Sequence, residues 1–348
     1  MDLPEKHIAI DEEGYALFGE IRVTDADVGR SLLENLTLSR EPRYSLQSEI
    51  DGQRVFVEAF DEPLVVQMVE KHPQGLLLTC PYGLTRIADI SKLTVDKWDR
   101  FHGYTTQGIP FVLSRKAQSA LFNLADSFDD DSITISGIRH RIPPYWTPQA
   151  QLNSSGFWSD IWSRDSLPEW DIRGPTPALV EMLPRLKLPP QRVLVPGCGG
   201  GHDAFLFAEA GHFVTALDIS PLALERAQRN YGPHPRLRWL QGDILQLDSR
   251  FNEGFDIIFE HTLFCAIDPT RREELIRSWS RLLQPTGHLM GVFFTMEKRE
   301  GPPFGATEWE IRELLKSRFQ FLFWARWRKS IPPRQGKELF VYARKRTS

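Results

Sequence analysis

The chain has 348 residues, 41% of them apolar and 25% charged, with a formal net charge of −4. That length predicts two or three domains at roughly 100 to 200 residues each, and that charge provides no global basic field for nonspecific nucleic-acid binding. Nowhere do roughly 18 apolar residues run together, so no membrane-spanning helix is expected. The three cysteines, Cys80, Cys198 and Cys265, are too few and too scattered for a disulfide framework or a paired-cysteine zinc site, which predicts a reducing compartment and no bound metal. The opening run from Met1 to Lys6 lacks a basic stretch followed by an apolar core. The expectation is a soluble cytoplasmic protein whose partner is a small-molecule substrate, with neither nucleic acid nor membrane, and with its oligomeric state left open.

In chain order, Val55 to Phe60 and Gly75 to Cys80 read as strands, Ala117 to Phe128 as a helix, and Ser132 to Ile138 alternates like a half-buried strand. These elements predict a small α+β domain over residues 1–142. It holds no constellation with chemical meaning: His7, His72, His102 and His140 are far apart in sequence and read as ordinary surface or boundary histidines. Residues 143–155 lose hydrophobic periodicity and fill with Pro, Ser, Asn and Gln, the composition of a linker. A second domain follows over 156–348.

That domain opens on Val193 to Asp203, an apolar strand running into Gly197, Gly199, Gly200 and Gly201. A short helix, Ala204 to Ala210, is closed by Gly211, and a second strand ends at Asp218. Ser220, Pro221 and Gly232 have the asymmetry of a helix's two ends. Strands are expected near Leu237 to Leu240, ending at Asp243 and Ile244, and at Phe255 to Phe259, ending at Glu260 and His261. Thr270 with Glu273 and Thr307 with Glu310 have capping-box spacing. Further strands are expected over His288 to Phe294, Phe319 to Trp324 and Glu338 to Ala343. Alternation of this kind argues a doubly wound, mostly parallel α/β sheet with helices on both faces. The late basic residues, Arg326, Arg328, Lys329, Arg334, Lys337, Arg344, Lys345 and Arg346, read as a solvated strand face and tail.

The glycine loop, helix and terminal acid form a nucleoside-binding half of such a sheet, with Asp218 placed to accept from two ribose hydroxyls. A dinucleotide fingerprint would show its third glycine three residues after the second. The pattern Gly197-x-Gly199-Gly200-Gly201 fits better a loop passing S-adenosylmethionine, with Asp243, followed by Ile244, near the adenine amino group.

The segments Phe157-Trp158-Ser159-Asp160-Ile161-Trp162, Trp170-Asp171, Pro175 to Leu179, Val193 to Gly199, Phe255 to Pro269, Gly301-Pro302-Pro303-Phe304 and Ile331 to Glu338 occur in order. Through them residues 157–345 resemble the thiopurine methyltransferase superfamily, and within it the halide and thiol methyltransferases. The resemblance implies a Rossmann-like class I methyltransferase sheet and S-adenosylmethionine as cofactor. It implies that Trp158 and Trp162, which share a helical face, pack on the cofactor with Trp170; core packing is the alternative. The run from Trp170 to Gly174 departs from the family, where glycine usually precedes the arginine and the spacing is one shorter.

Three residues are candidates for the chemistry itself. Arg271 and Arg272 follow Thr270 into a first helical turn, where the macrodipole disfavours cations. By resemblance Arg272 meets the cofactor carboxylate or lies at the substrate end; a structural ion pair is the alternative. Arg334 resembles a substrate-side position, against an exposed loop arginine. His261, with Glu260 beside the cofactor, lines the pocket or acts as a weak base, against a satisfied structural histidine. Glu260-His261-Thr262-Leu263 stands where amide- and base-methylating enzymes carry Asn or Asp, Pro, Pro and an aromatic. A soft nucleophile (thiol, selenium or tellurium species, or halide) needs orientation and desolvation more than deprotonation, in a pocket that Leu263, Phe264 and Phe304 could line. The alternatives are a small-molecule O- or N-methyltransferase and a regulatory protein that binds S-adenosylmethionine without turnover.

Overall fold

The computed structural model describes residues 7–39, 45–50, 52–164, 166–296 and 298–347. Met1 to Lys6, on which the expectation about a leader rests, lies outside the described residues. The chain forms two compact units. One comprises Met1–Thr147 with Met296–Lys298 and Thr307–Glu310, the other Pro148–Thr295, Arg299–Ala306 and Ile311–Ser348. The two late excursions into the first unit carry no compositional mark.

The first unit is built of small sheets. Six strands in the order Ile21–Arg22, Ala16–Phe18, His7–Ile10, Gln53–Ala59, Ser45–Ile50, Thr37–Ser39 form the largest. The helices Ala26–Glu34 and Arg115–Leu124 bury Leu32, Leu33, Ala117 and Leu121 in one core with Ile8, Leu76 and Phe111. The second helix ends earlier than expected, because Ser127–Asp129 pairs with Ser132–Ile135. The expected strand 132–138 is half of a hairpin: Ser136 and Gly137, at φ of 54° and 75°, turn the chain into Ile138–Arg141, as two-residue hairpin loops require. His7 and His102 are not surface residues. His7 stacks on Phe56 beside Glu58, and His102, 3% exposed, lies between Glu62 (2.9 Å) and Asp96 (3.0 Å).

The second unit carries a seven-stranded sheet. Its strands are β1 (Arg192–Pro196), β2 (Phe213–Asp218), β3 (Leu237–Gln241), β4 (Phe255–His261), β5 (Leu283–Phe294), β6 (Phe319–Trp327) and β7 (Glu338–Lys345), in the order β3-β2-β1-β4-β5-β7-β6. The first five are parallel; β7 runs antiparallel to β5 and β6. Val193, Leu194, Ile257, Ile258 and Phe259 are at most 1% exposed, as expected of central strands covered on both faces. Its helices are α1 (Ser155–Trp162), α2 (Pro177–Leu186), α3 (His202–Glu209), α4 (Pro221–Tyr231) and α5 (Arg272–Leu282); a last helix, α6 (Glu308–Lys316), starts within the stretch Thr307–Glu310 that belongs to the first unit and returns to the second at Ile311.

Helix ends follow local chemistry. Ser220 Oγ accepts the Ala223 N–H at 3.3 Å and Gly232 closes α4 at φ 67°. Thr307 Oγ1 accepts the Glu310 N–H at 3.1 Å. The Thr270 cap is corrected: Asp268 accepts both the Thr270 N–H (2.9 Å) and its hydroxyl (2.7 Å), heading a 3-10 turn Pro269–Arg271, so that α5 begins only at Arg272. The acid is the better acceptor for orphan N–H groups.

Candidate active site

The carboxyl ends of β1 to β4 open on a cleft, where ligands of open α/β sheets bind. Of the sequence-predicted residues, Trp158, Trp162, Trp170, Gly197, Gly199, Asp218, Asp243 and Ile244 line it together. Gly197 and Gly199 hold φ of 64° and 49°, and a Cβ would stand 3.0 Å from Leu263 and from Trp162, respectively. A side chain there meets both a left-handed backbone and a filled neighbour. Gly201 differs. It starts α3 at φ 84°, is not among the residues lining the cleft, and a Cβ would meet Trp239 at 2.7 Å and Ala227 at 2.9 Å. Its demand for glycine comes from protein packing.

Asp218 ends β2 at 7% exposure. Its Oδ2 accepts the Gly199 N–H and its Oδ1 the Ser220 N–H, both at 2.9 Å. Burial raises its pKa to about 6 against these bonds. Asp243, following β3, accepts the Leu245 N–H at 2.9 Å through Oδ1. Apolar Leu217, Ile219, Ile244 and Leu245, the sequence neighbours of the two acids, line the same cleft. Two carboxylates set in an apolar slot are the acceptors a ribose diol and an adenine amino group require, so the residues present fit S-adenosylmethionine.

The three indoles converge although Trp170 lies outside the helix of the other two. The Trp158 and Trp170 ring centroids are 6.0 Å apart at 75°, and Trp158 Nε1 donates to the Leu152 carbonyl at 3.0 Å. The departure after Trp170 has a local form: Arg173 takes a left-handed φ of 59°, and its N–H donates to Asp171 Oδ1 at 2.8 Å.

A polar lobe shares Trp162, Trp170, Gly197, Gly199 and Thr262 with this cleft and adds Asp171, His202, Asp203 and His261. His261 Nδ1 lies 2.7 Å from Asp203 Oδ2, and its Nε2 lies 3.0 Å from Arg334 Nη1. Arg334 is 7% exposed, not part of a solvated tail, and its Nη2 donates to the Trp170 carbonyl at 2.7 Å. Neither nitrogen of His261 is open to a substrate.

Glu260 and Arg272 are placed away from the cleft wall. Glu260, 1% exposed, turns its Oε1 onto the Phe264 N–H at 2.8 Å, because successive strand residues face opposite sides. Burial raises its pKa to about 8, with the Arg272 charge opposing. Arg272 is fully buried, donates to the Gly305 carbonyl at 3.0 Å and sits 4.4 Å above the Phe264 ring. Phe264 and Phe304 are at most 1% exposed and also stand off the wall, whereas Leu263 lines it. Sequence reasoning missed Cys265, Pro302 and Pro303 on the wall and the roles of His202 and Asp203. Their signal was position alone: the last two directly follow the glycine loop.

The family model described as thiopurine S-methyltransferase matches residues 153–339. Thiocyanate methyltransferase 1 of Brassica oleracea is 38% identical over 151 residues, 42% of this chain and 66% of that protein. Probable thiol methyltransferase 2 of Arabidopsis thaliana is 35% identical over 167 residues, 47% of this chain and 73% of that one. Thiocyanate methyltransferase 1 of Arabidopsis thaliana is 35% identical over 188 residues, 53% and 82%.

Proposed function

The chain belongs to the thiopurine S-methyltransferase family and is an S-adenosylmethionine-dependent methyltransferase for a small soft nucleophile; we propose that this acceptor is a thiolate or a thiocyanate-like anion. One observation carries the reading. Apart from Asp218 and Asp243, the main cleft wall formed by the described residues has no carboxylate and no imidazole, and in the adjoining polar lobe Asp171 is paired with His202 and Asp203 with His261. Cys265 on that wall donates to the Thr262 carbonyl, and burial pushes its thiol up to about 12, so it stays a thiol.

Bound S-adenosylmethionine supplies a sulfonium methyl group open to in-line attack by a lone pair. Asp218 and Asp243 hold the nucleoside, and Trp158, Trp162 and Trp170 offer indole faces that suit a sulfonium cation. Leu263, Ala266, Ile267, Pro302 and Pro303 exclude water from an acceptor that already bears its lone pair. An oxygen or nitrogen acceptor would need a free base, and His261 has both ring nitrogens engaged.

We infer a cytoplasmic location from the three cysteines, none of which is in a disulfide. Among the described residues no helix is long and apolar enough to cross a membrane.

S-adenosylhomocysteine release, measured over thiols, thiocyanate, iodide, phenols and amines, tests the proposal. Turnover is expected with the soft anions, with the thiol rate following the thiolate fraction around the substrate's own pKa, about 8.5 for a cysteine-like thiol. Turnover confined to phenols or amines would overturn it.

A further inference from the structure

We propose that His202, Asp203, His261 and Arg334 are positioning residues that latch the segment Trp170 to Thr176 beside the glycine loop, and that protonation of His261 releases the latch. The segment carries the third indole to the cleft wall, so the inference deepens the methyltransferase reading and rests on it. Three bonds hold it. Arg334 Nη2 donates to the Trp170 carbonyl at 2.7 Å, His202 Nε2 lies 3.0 Å from Asp171 Oδ1, and the Thr176 N–H donates to Asp203 Oδ1 at 2.7 Å. His202 and Asp203 are the first residues of α3 and follow the glycine loop directly. Any drift of the segment is therefore registered where Gly197 and Gly199 face the cleft.

His261 ties two of these anchors together. A guanidinium has only donors, so the His261 Nε2 facing Arg334 must accept, and its Nδ1–H donates to Asp203. The bridge requires the neutral imidazole in one tautomer. A proton on Nε2 would set an N–H against the Arg334 N–H, with two cations 3.0 Å apart. Groups facing this point are Asp203 from α3, Arg334 from the turn Pro332–Arg334, Glu338 from β7 at 3.7 Å from Arg334 Nη1, and the Asp171–His202 pair in the same lobe. His202 is in turn held by the Tyr231 hydroxyl at 2.5 Å from Nδ1. Glu260, next along the strand, is turned away onto Phe264. Within the segment Arg173 holds a left-handed φ of 59°, a conformation unfavourable for a non-glycine residue, so the bonds from outside hold the segment against that cost.

The test uses the full chain and reads the latch without turnover. Amide hydrogen exchange of peptides covering residues 169–180 is followed from about pH 8 to about pH 5 and corrected for the intrinsic pH dependence of exchange. Wild type, His261→Gln and His261→Leu are compared. Glutamine accepts from Arg334 and donates to Asp203 without titrating; leucine does neither. Expected are protection in wild type at about pH 8 that is lost in acid, protection kept at both ends in His261→Gln, and roughly tenfold lower protection throughout in His261→Leu. Equal pH dependence in wild type and His261→Gln, or full protection in His261→Leu, would overturn the latch. S-adenosylhomocysteine titration at about pH 8 separates the two readings: absence of binding with an intact exchange switch rejects the methyltransferase reading alone, and tight binding without the switch rejects the latch alone.

Discussion

Asp218 Oδ2 accepts the backbone N–H of Gly199 at 2.9 Å, so the acid that ends the second strand also holds the loop that leaves the first. Loop and acid thus form one unit, and a change in Asp218 acts on both.

Asp218→Ala is expected to weaken S-adenosylhomocysteine binding by about 1.5 to 3 kcal/mol for each charge-assisted bond removed. In wild type, affinity should fall as pH drops through about 6, where the buried carboxyl takes a proton and ceases to be a pure acceptor. Calorimetry across pH measures both, and unchanged affinity in the variant would reject the assignment.

Gly201→Ala tests a scaffold role. The left-handed backbone costs alanine about 1 to 2 kcal/mol, and the collision with Trp239 and Ala227 adds overpacking of about 1 to 3 kcal/mol. Urea unfolding should show a loss of about 2 to 5 kcal/mol, while the variant, where folded, keeps its affinity for S-adenosylhomocysteine. A selective loss of affinity without loss of stability would place Gly201 at the ligand.

Glu260 makes stability depend on pH. Its carboxyl moves from 4.5 to about 8 on burial, so between those values the folded chain holds a proton that the unfolded chain does not. The stability tied to it is full below the unfolded value and is lost as pH rises through about 8, with a slope of at most roughly 1.4 kcal/mol per pH unit. Urea midpoints should therefore fall more steeply toward alkaline pH in wild type than in Glu260→Gln. Parallel curves would contradict this.

Residues 148–348 expressed alone are expected to bind S-adenosylhomocysteine, because every residue on the cleft wall lies among them. The same fragment lacks Trp98 and Arg100, which hold Trp309 by an edge contact at 4.9 Å and a cation over its ring at 3.2 Å. Light scattering should show aggregation that Trp309→Ser reduces. A fragment that is soluble and binding with Trp309 intact would make those contacts dispensable; one that folds without binding would make residues 1–147 necessary to the site.

The wall of the cleft was legible in the chain because its signals are local. Hydrophobic runs, cap residues and glycines act over a few positions, and the end of a parallel strand is where its loop residues meet a ligand. Hence Asp218, Asp243, Gly197 and Gly199 could be placed before any contact was known. Ser136-Gly137 was also a local signal, a turn inside what alternation alone rendered as one strand.

Which face a side chain takes and which partner it meets are matters of distant pairing. His261 meets Asp203 across 58 positions and Arg334 across 73, and Arg334 reaches Trp170 across 164. No spacing rule spans such intervals, so the sequence by itself determined the order of the elements, the glycine loop and the acids at the strand ends. The tertiary structure alone decided that His261 is bridged at both nitrogens, that Glu260 and Arg272 are buried off the cleft wall, and that Trp170 joins two helical tryptophans. The physical reason is that burial and hydrogen-bond partnership are set by packing between elements, whereas secondary structure and strand-end loops are set by neighbours along the chain.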